Sequence, residues 1–105
     1  MTCFNSFPSK PQMSLSIRVT TRFERDLKKM ARRHKDLTKL KAVIALLVAE
    51  KPLPSRYRDH ALTGNLHGWR DLHIEPDWLL IYRINRSISE LILLRTGTHA
   101  DIFEE

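Results

Sequence analysis

The sequence contains a single cysteine, Cys3, among its 105 residues. One cysteine cannot form an internal disulfide, and a chain without disulfides is typical of a reducing compartment, so we expect a cytoplasmic location. No stretch approaches the ~18 consecutive apolar residues that a membrane-spanning helix needs. The first residues also lack the basic start and apolar run of a secretory signal. We therefore expect neither a disulfide-rich secreted domain nor a membrane protein.

Glycine is almost as scarce, with three residues in the whole chain. The sequence has no glycine-rich loop that would cradle a phosphate, no G-x-S-x-G elbow and no cysteine nucleophile with a partner. Nucleotide hydrolysis and acyl transfer therefore lack support. Cleavage of a phosphodiester needs none of these motifs.

The positive charge is concentrated in one segment. Between Arg22 and Lys41 nine Lys and Arg residues face three acidic ones, a surplus equal to the formal net charge of +6 of the whole chain. Such a segment attracts polyanions, although solvated basic helix faces are also common in small proteins. The candidates for contacts with nucleic acid are Arg25, Lys28, Lys29, Arg32 and Arg33.

Two amphipathic helices are predicted in the first half of the chain. Residues 1–14 show no periodicity and are interpreted as a flexible leader, so the folded domain spans 15–105. Alternation over 15–20 predicts a strand. Thr21 with Glu24 resembles a capping box that starts the first helix, and Asp36 is a suitable N-cap for the second. Pro52 and Pro54 end the second helix.

The second half is predicted to be mainly β structure. After an irregular connection over 55–68, strands are expected at 69–74, 78–84 and 90–96, followed by one short terminal turn. Short links between the last three strands indicate an antiparallel meander. The fold class is therefore α+β, with two helices packed on an antiparallel sheet of about four strands.

The candidate chemistry lies among these strands. Asp71 and His73 alternate with apolar residues, so we expect both on the solvent-facing side of the sheet, where the alternative is an ordinary polar face. Histidine exchanges protons near neutral pH, which makes His60, His73 and His99 candidate acid and base groups. Taken singly, His99 and Arg95 are equally consistent with surface positions, and Trp78 with a core position.

A metal site has less support. Asp71 and His73 are two residues apart on a strand, and no cysteine pair or helical H-x-x-x-H spacing accompanies them. We expect no bound metal and no cofactor.

Four strings in this sequence resemble the YafQ-type toxins of the RelE/ParE superfamily, which belong to bacterial type II toxin–antitoxin systems. They are RHKDLTKLKAV at 33–43, LPSRYRDHALTGN at 53–65, WRDLHIEPDWLLIYRI at 69–84 and RTGTHADIF at 95–103. The resemblance spans residues 16–103 with nearly unbroken spacing. It implies a RelE-like, microbial ribonuclease-like fold with a twisted antiparallel sheet under two N-terminal helices.

The resemblance also implies an activity, a ribosome-dependent endoribonuclease that cuts mRNA in the decoding site. Family functional positions correspond to His60, Asp71, His73, Asp77, Trp78, Arg95, His99 and Phe103. The expected roles are His99 as general acid, His73 or Asp77 as base or its orienting group, and Arg95 as stabiliser of phosphate charge. His60 and Asp71 would support them.

Further expectations concern partners. Trp78 and Phe103 would stack on mRNA bases, and the basic helix would hold ribosomal RNA. The resemblance implies a small cognate antitoxin of the ribbon-helix-helix, DinJ- or RelB-like type. Two alternatives remain open at this point. One is a ParE-type toxin that acts on DNA gyrase by binding alone, and the other is a non-catalytic RNA-binding module.

Overall fold

The structure is a computed structural model that describes residues 15–104. The predicted leader at 1–14 lies outside the described residues, as does residue 105. The helices and strands in chain order are β1 (Ser16–Val19), α1 (Thr21–Arg32), α2 (Leu37–Val48), β2 (His60–Ala61), β3 (Arg70–Glu75), β4 (Trp78–Asn85) and β5 (Glu90–Gly97). Short 3-10 turns lie at Ser55–Tyr57 and Gly64–Leu66, and a π-helical turn lies at Ala100–Glu104.

The α+β class is confirmed, and the sheet is mixed rather than wholly antiparallel. Its five strands run in the order β1-β5-β4-β3-β2. Strands β3, β4 and β5 form the expected antiparallel meander, and the additional strand β2 pairs antiparallel with β3. Strand β1 lies parallel to β5, with Ile17 opposite Leu91. The two helices separate β1 from the other strands in sequence, so no tight turn dictates its direction. The fifth strand, β2, has only two residues and lies inside the segment predicted to be irregular.

The helices begin and end for local reasons. Thr20, not Thr21, is the N-cap of α1: its hydroxyl oxygen accepts the Phe23 N–H at 3.0 Å. The same hydroxyl donates to the Leu94 carbonyl at 2.8 Å, which fastens the cap to β5. Asp36 caps α2 as predicted and accepts the Thr38 N–H at 3.0 Å. The cap of α1 shifts by one residue because Thr20 gains a tertiary partner as well.

Each face of the sheet contributes to a separate apolar cluster. On one face Leu72, Leu80 and Leu93 pack against the buried side of the two helices. On the opposite face a smaller cluster forms around Leu79, Ile81 and Ile102, with the last supplied by the terminal turn. Burial of both faces explains why β4 is apolar without alternation. The helix-free face keeps room beside its small cluster for polar side chains.

No helix within residues 15–104 is long and apolar enough to cross a membrane.

Candidate active site

Three histidine rings lie in a row on the helix-free face of the sheet. The ring centroids of His60 and His73 are 6.4 Å apart, and those of His73 and His99 are 5.7 Å apart. The Phe103 ring continues the row at 6.3 Å from His99. The structure thus brings together the three histidines that the sequence singled out.

Strand register explains the convergence. His60 pairs with Asp71 across β2 and β3, and His73 pairs with Leu79 across β3 and β4. Leu79 in turn pairs with Gly97 at the end of β5. Residues directly opposite each other share a face, so the chain leaves β5 beside His73 and places His99 there.

His99 is oriented by Asp77, which lies in the turn between β3 and β4. One carboxylate oxygen, Asp77 Oδ1, lies 2.6 Å from His99 Nδ1 and accepts the His99 backbone N–H at 3.0 Å. The backbone N–H and then the ring hydrogen bond of His99 lower the pKa of Asp77. A carboxylate that stays ionised keeps the ring proton of His99 on Nδ1 and leaves Nε2 for proton transfer.

The turn that carries His99 is also stabilised by hydrogen bonds between Thr98 and Asp101. Thr98 N–H donates to Asp101 Oδ2 at 3.0 Å, and the Asp101 N–H donates to the Thr98 hydroxyl at 3.1 Å, which is a capping-box arrangement. Arg33, the residue after α1, binds the same carboxylate at 2.8 and 3.4 Å. Gly97 permits this approach, because a Cβ there would lie 2.9 Å from Asp101.

At the other end of the row, His60 is oriented by the main chain. Its Nδ1 lies 2.8 Å from the Arg58 carbonyl oxygen, which only accepts, so Nδ1 carries the proton. Its Nε2 lies 3.6 Å from Asp71 Oδ2. Both anchors direct the ring along the same face as His73.

Asp71 is the clearest departure from the sequence prediction at this site. We expected it on the solvent-facing side of the sheet, but only 4% of its surface is exposed. The prediction was wrong because the histidines and the smaller apolar cluster cover this part of the face. Burial raises the pKa of Asp71, and the nearby His73 and His60 oppose that rise. Asp71 thus lies as a shielded carboxyl beneath the imidazoles.

His73 occupies the middle of the row and lines a cleft of about 600 Å³ with His99. Its Nδ1 is shielded from solvent, and within residues 15–104 this atom has no hydrogen-bond partner. The part of the His73 ring that lines the cleft is therefore the edge away from Nδ1. Phe103, which is 45% exposed, keeps an aromatic face available at the far side of His99.

Trp78 does not lie in the cleft, and its predicted contact with RNA bases is wrong. The side chain is completely buried, and its indole N–H donates to the Thr96 hydroxyl at 2.9 Å. As the first residue of β4 it points toward the helices, on the face opposite to Leu79. The alternative reading of Trp78 as a core residue is the one that fits.

Arg95 is also committed elsewhere. Its Nε donates to Asp26 Oδ2 at 2.7 Å, and its Nη2 donates to Asp26 Oδ1 at 3.2 Å and to the Asp101 carbonyl at 3.3 Å. The side chain is 13% exposed and borders a groove along α1, not the histidine cleft. Arg95 therefore binds the basic helix to β5 where we expected it to bind phosphate.

The basic residues of α1 divide into two groups. Arg25, Lys28 and Arg32 line an open groove of about 420 Å³. Lys29 borders the same groove but lies 3.6 Å from Asp101, and Arg33 is bound by that carboxylate. Two of the five predicted nucleic-acid contacts thus have an intramolecular partner.

Sequence reasoning missed two cations of the cleft, Arg56 and Arg58. Both lie in the segment predicted to be an irregular connection, where no periodicity assigns a direction to a side chain. The feature of the sequence that could have identified them is their position on either side of Tyr57. Tyr57 is buried and holds the turn against the core. Within residues 15–104, no group of three or more histidine, cysteine or acidic side chains has the geometry to hold a metal ion.

Comparisons with known proteins agree with this architecture. Residues 15–104 match the family described as the bacterial toxin of type II toxin–antitoxin systems, YafQ. The chain is 44% identical to the mRNA interferase toxin YafQ of Escherichia coli K12 over 88 residues, which covers 83% of this chain and 94% of that protein.

Two solved structures are similar over most of their length. The crystal structure of the E. coli DinJ–YafQ toxin–antitoxin complex shares 43% identity with this chain, with a TM-score of 0.78 over 86% of this chain and 98% of that one. A metal-bound toxin from Helicobacter pylori shares 38% identity, with a TM-score of 0.81 over 85% of this chain and 99% of that one.

Proposed function

This chain belongs to the YafQ family of bacterial toxins of type II toxin–antitoxin systems, and from that premise we propose that it is an mRNA interferase that cuts mRNA on the ribosome. The observation that carries the proposal is the row of three imidazoles in one cleft, with His99 oriented by a carboxylate. Histidine pairs cleave RNA without a metal because the ribose 2′-hydroxyl supplies the nucleophile.

In the proposed reaction a base removes the 2′-hydroxyl proton, and the oxygen attacks the adjacent phosphorus. The bond to the departing 5′-oxygen breaks as an acid protonates that oxygen. The products are a 2′,3′-cyclic phosphate and a 5′-hydroxyl end. Both proton transfers use side chains of the enzyme, so the step needs no bound metal.

His99 is the proposed acid. Asp77 accepts the hydrogen bond from His99 Nδ1–H, and Nε2–H delivers the proton to the 5′-oxygen. This geometry narrows the options for the base. Because both hydrogen bonds of Asp77 Oδ1 go to His99, Asp77 serves as the orienting group, and His73 in the centre of the row is the proposed base.

His60 and Asp71 form the supporting pair. The buried carboxyl of Asp71 lies within electrostatic reach of His73, His60 and His99, which oppose the rise that burial causes in its pKa. His60 adds a positively chargeable group 6.4 Å from His73, on the side away from the acid. The pair thus sets the charge of the cleft without taking part in bond breaking.

RNA contacts outside the reacting atoms come from two surfaces. Phe103 offers an exposed ring beside His99 on which a base can stack. Arg25, Lys28 and Arg32 offer positive charge along one face of α1 to ribosomal RNA phosphates. Since its substrate is translated mRNA, we place the protein in the cytoplasm.

The E. coli relative was crystallised with the DinJ antitoxin, and we propose that this chain also has a cognate antitoxin of the DinJ type. The net charge of +6 favours an antitoxin segment rich in acidic residues.

The test is mapping of mRNA 5′ ends in a purified translation system, with and without ribosomes, for the intact chain and His99→Ala. Cuts that need ribosomes and vanish in the variant support the proposal. Cuts on naked RNA alone would indicate a ribonuclease that does not depend on ribosomes. Growth inhibition without any cuts would favour the binding-only toxin.

A further inference from the structure

Because Arg95 does not line the cleft, the proposed reaction lacks the cation that we expected to stabilise the phosphate. Attack of the 2′-oxygen on phosphorus increases negative charge on the non-bridging phosphate oxygens, and preorganised cations are the usual means of stabilising it. Arg95 is bound by Asp26 and by the Asp101 carbonyl, and only 13% of its side chain is exposed. A different cation must therefore face the phosphate.

The cleft contains two candidate cations. Arg56 and Arg58 line the same 600 Å³ cleft as His73 and His99, and both are exposed. They flank Tyr57, whose side chain is buried in the core with 7% of its surface exposed. The buried tyrosine fixes the turn and displays the two arginines on either side.

Arg58 is held close to the reacting groups by its backbone. It adopts the left-handed conformation, with φ 52° and ψ 42°, which residues with a Cβ rarely adopt. Its N–H donates to the Ser55 carbonyl at 3.0 Å, and its own carbonyl accepts from His60 Nδ1 at 2.8 Å. This conformation ends the 3-10 turn at Ser55–Tyr57 and, together with these two hydrogen bonds, fixes the Arg58 main chain beside His60.

Arg56 is preorganised by its neighbour. Its guanidinium lies 4.7 Å from the centre of the Tyr57 ring, and its Nη2 donates to the Tyr57 hydroxyl at 3.2 Å. It also borders a second depression of about 360 Å³ beside Lys39, which adjoins the cleft through Arg56 and Ile74. Arg56 therefore lies where a bound RNA chain would pass from the cleft into the second depression.

The acids of this region are already neutralised by other cations. Asp59 is bound by Arg70 at 2.9 Å and also accepts from the Tyr82 hydroxyl. Glu75 is bound by Lys39 at 2.9 Å and Lys35 at 3.2 Å. Among residues 15–104 no carboxylate pairs with the Arg58 side chain, so its full charge is available to an anion.

We propose that Arg56 and Arg58 form the phosphate-binding subsite of the cleft. Arg58 contacts the phosphate under attack, and Arg56 contacts the phosphate of the neighbouring nucleotide on the side of α2. The inference rests on the proposed ribonuclease function and adds the cations that it requires. The guanidinium group is suited to this role because its fork of N–H donors matches two phosphate oxygens.

The experiment measures single-turnover cleavage of a programmed mRNA on purified ribosomes for Arg58→Gln, Arg58→Lys and Arg56→Gln. Arg18→Gln is the matched control, because it removes one exposed arginine charge on β1, at the edge of the sheet opposite to β2. We expect Arg58→Gln to lower the rate constant about 10²-fold, the usual cost of one donor to a developing oxyanion, and Arg58→Lys to recover part of it. Arg18→Gln should stay within about twofold of the intact chain.

Arg56→Gln should instead weaken binding. Its rate constant at saturation should be nearly unchanged, while the salt dependence of binding should lose a log–log slope of about 0.7, as expected for one lost phosphate contact on a single strand. Melting temperatures of all variants must match that of the intact chain to within about 2 °C, so that losses are not losses of fold.

The possible outcomes distinguish a failure of the arginine subsite from a failure of the proposed ribonuclease function. If the intact chain cuts mRNA and Arg58→Gln cuts it at the same rate, the subsite is wrong and the proposed function stands. If Arg95→Gln, compared at equal folded fraction, loses the rate that Arg58→Gln retains, Arg95 is the phosphate ligand. If the intact chain does not cut mRNA, both the proposed function and the subsite fail.

Discussion

His99 and Asp77 are joined twice, because a single carboxylate oxygen accepts both the backbone N–H of His99, at 3.0 Å, and its Nδ1, at 2.6 Å. Two bonds from one residue to one oxygen fix the position of the backbone and the rotation of the ring together. The acid of the proposed reaction is thus positioned by the turn between β3 and β4, 22 residues away in the sequence.

The first prediction concerns this pair. His99→Ala should lower cleavage at least about 10²-fold, since general acid catalysis contributes roughly that much, with ribosome binding nearly intact. Asp77→Asn should cost less, because an amide oxygen still accepts the backbone N–H. Single-turnover rates and a ribosome pelleting assay measure the two effects. A loss below about tenfold in His99→Ala would remove His99 from the acid role.

The second prediction concerns Trp78, whose buried side chain supports the core. Trp78→Ala should destabilise the protein by about 3–5 kcal/mol and lower the melting temperature by about 12 °C or more. Trp78→Phe should retain most cleavage per folded molecule, because it keeps most of the buried ring area. Thermal melts and cleavage assays at equal folded fraction distinguish the roles. An unchanged melting temperature with lost cleavage would indicate a contact with RNA instead.

The third prediction concerns the ion pair between Arg33 and Asp101, which supports the turn that carries His99. Burial raises the pKa of Asp101, but the Arg33 guanidinium and the Thr98 groups outweigh it and hold that pKa well below its usual range. The folded pKa lies below the unfolded value of ~3.9, so ionised Asp101 stabilises the fold above about pH 4. This contribution is lost as the pH falls through the folded pKa.

Asp101→Asn should therefore lower the melting temperature at pH 7, by the equivalent of about 1–2 kcal/mol after allowance for the exposed side of Arg33. The difference from the intact chain should begin to shrink below about pH 4, where Asp101 of the unfolded chain protonates, and should vanish below the folded pKa. Thermal melts over a pH series measure it. Glu50→Gln, which removes the exposed partner of Arg86, is the matched control and should show a smaller effect.

The fourth prediction is that replacing Asp71 has opposite effects on stability and on cleavage. Burial raises its pKa above the unfolded value, so the ionised form destabilises the folded state at neutral pH. Asp71→Asn should raise the melting temperature at pH 7, with about 4–8 °C for each kcal/mol gained, and should lower cleavage about tenfold or more. The gain in stability should fade as the pH is lowered and Asp71 becomes neutral. A lower melting temperature at pH 7 would show that the carboxylate stabilises the fold.

The fifth prediction concerns the basic helix. Because Lys29 and Arg33 contact Asp101, three of the five predicted cations remain for RNA: Arg25, Lys28 and Arg32. Ribosome affinity should therefore fall with salt with a log–log slope of about −2 to −3 from this helix. Binding titrations of Lys28→Gln and Arg33→Gln test the division. Equal slope changes in both variants would contradict it.

Much of the secondary structure follows from local signals. The Asp36 cap, the proline stop after α2 and the three-strand meander are each determined by interactions within a few residues, and each was predicted. The site histidines were also identifiable, because their residue type and the family strings carry chemical information that does not depend on folding.

Other features depended on partners distant in sequence. The parallel pairing of β1 with β5 and the shift of the α1 cap to Thr20 both depend on residues more than 70 positions away. The binding of Arg95 by Asp26, 69 positions away, and the burial of Asp71 also depend on tertiary packing. No periodicity in the segment 55–58 indicated that Arg56 and Arg58 face the histidines.

The sequence by itself determined the helices, the meander and the kinds of side chain at the candidate site, because propensity, capping and side-chain chemistry act locally. The tertiary structure alone decided which of the described charged side chains stay exposed and which bind other residues of the fold. An arginine stabilises a phosphate or a carboxylate equally well, so its role depends on which anion the packed chain places within reach.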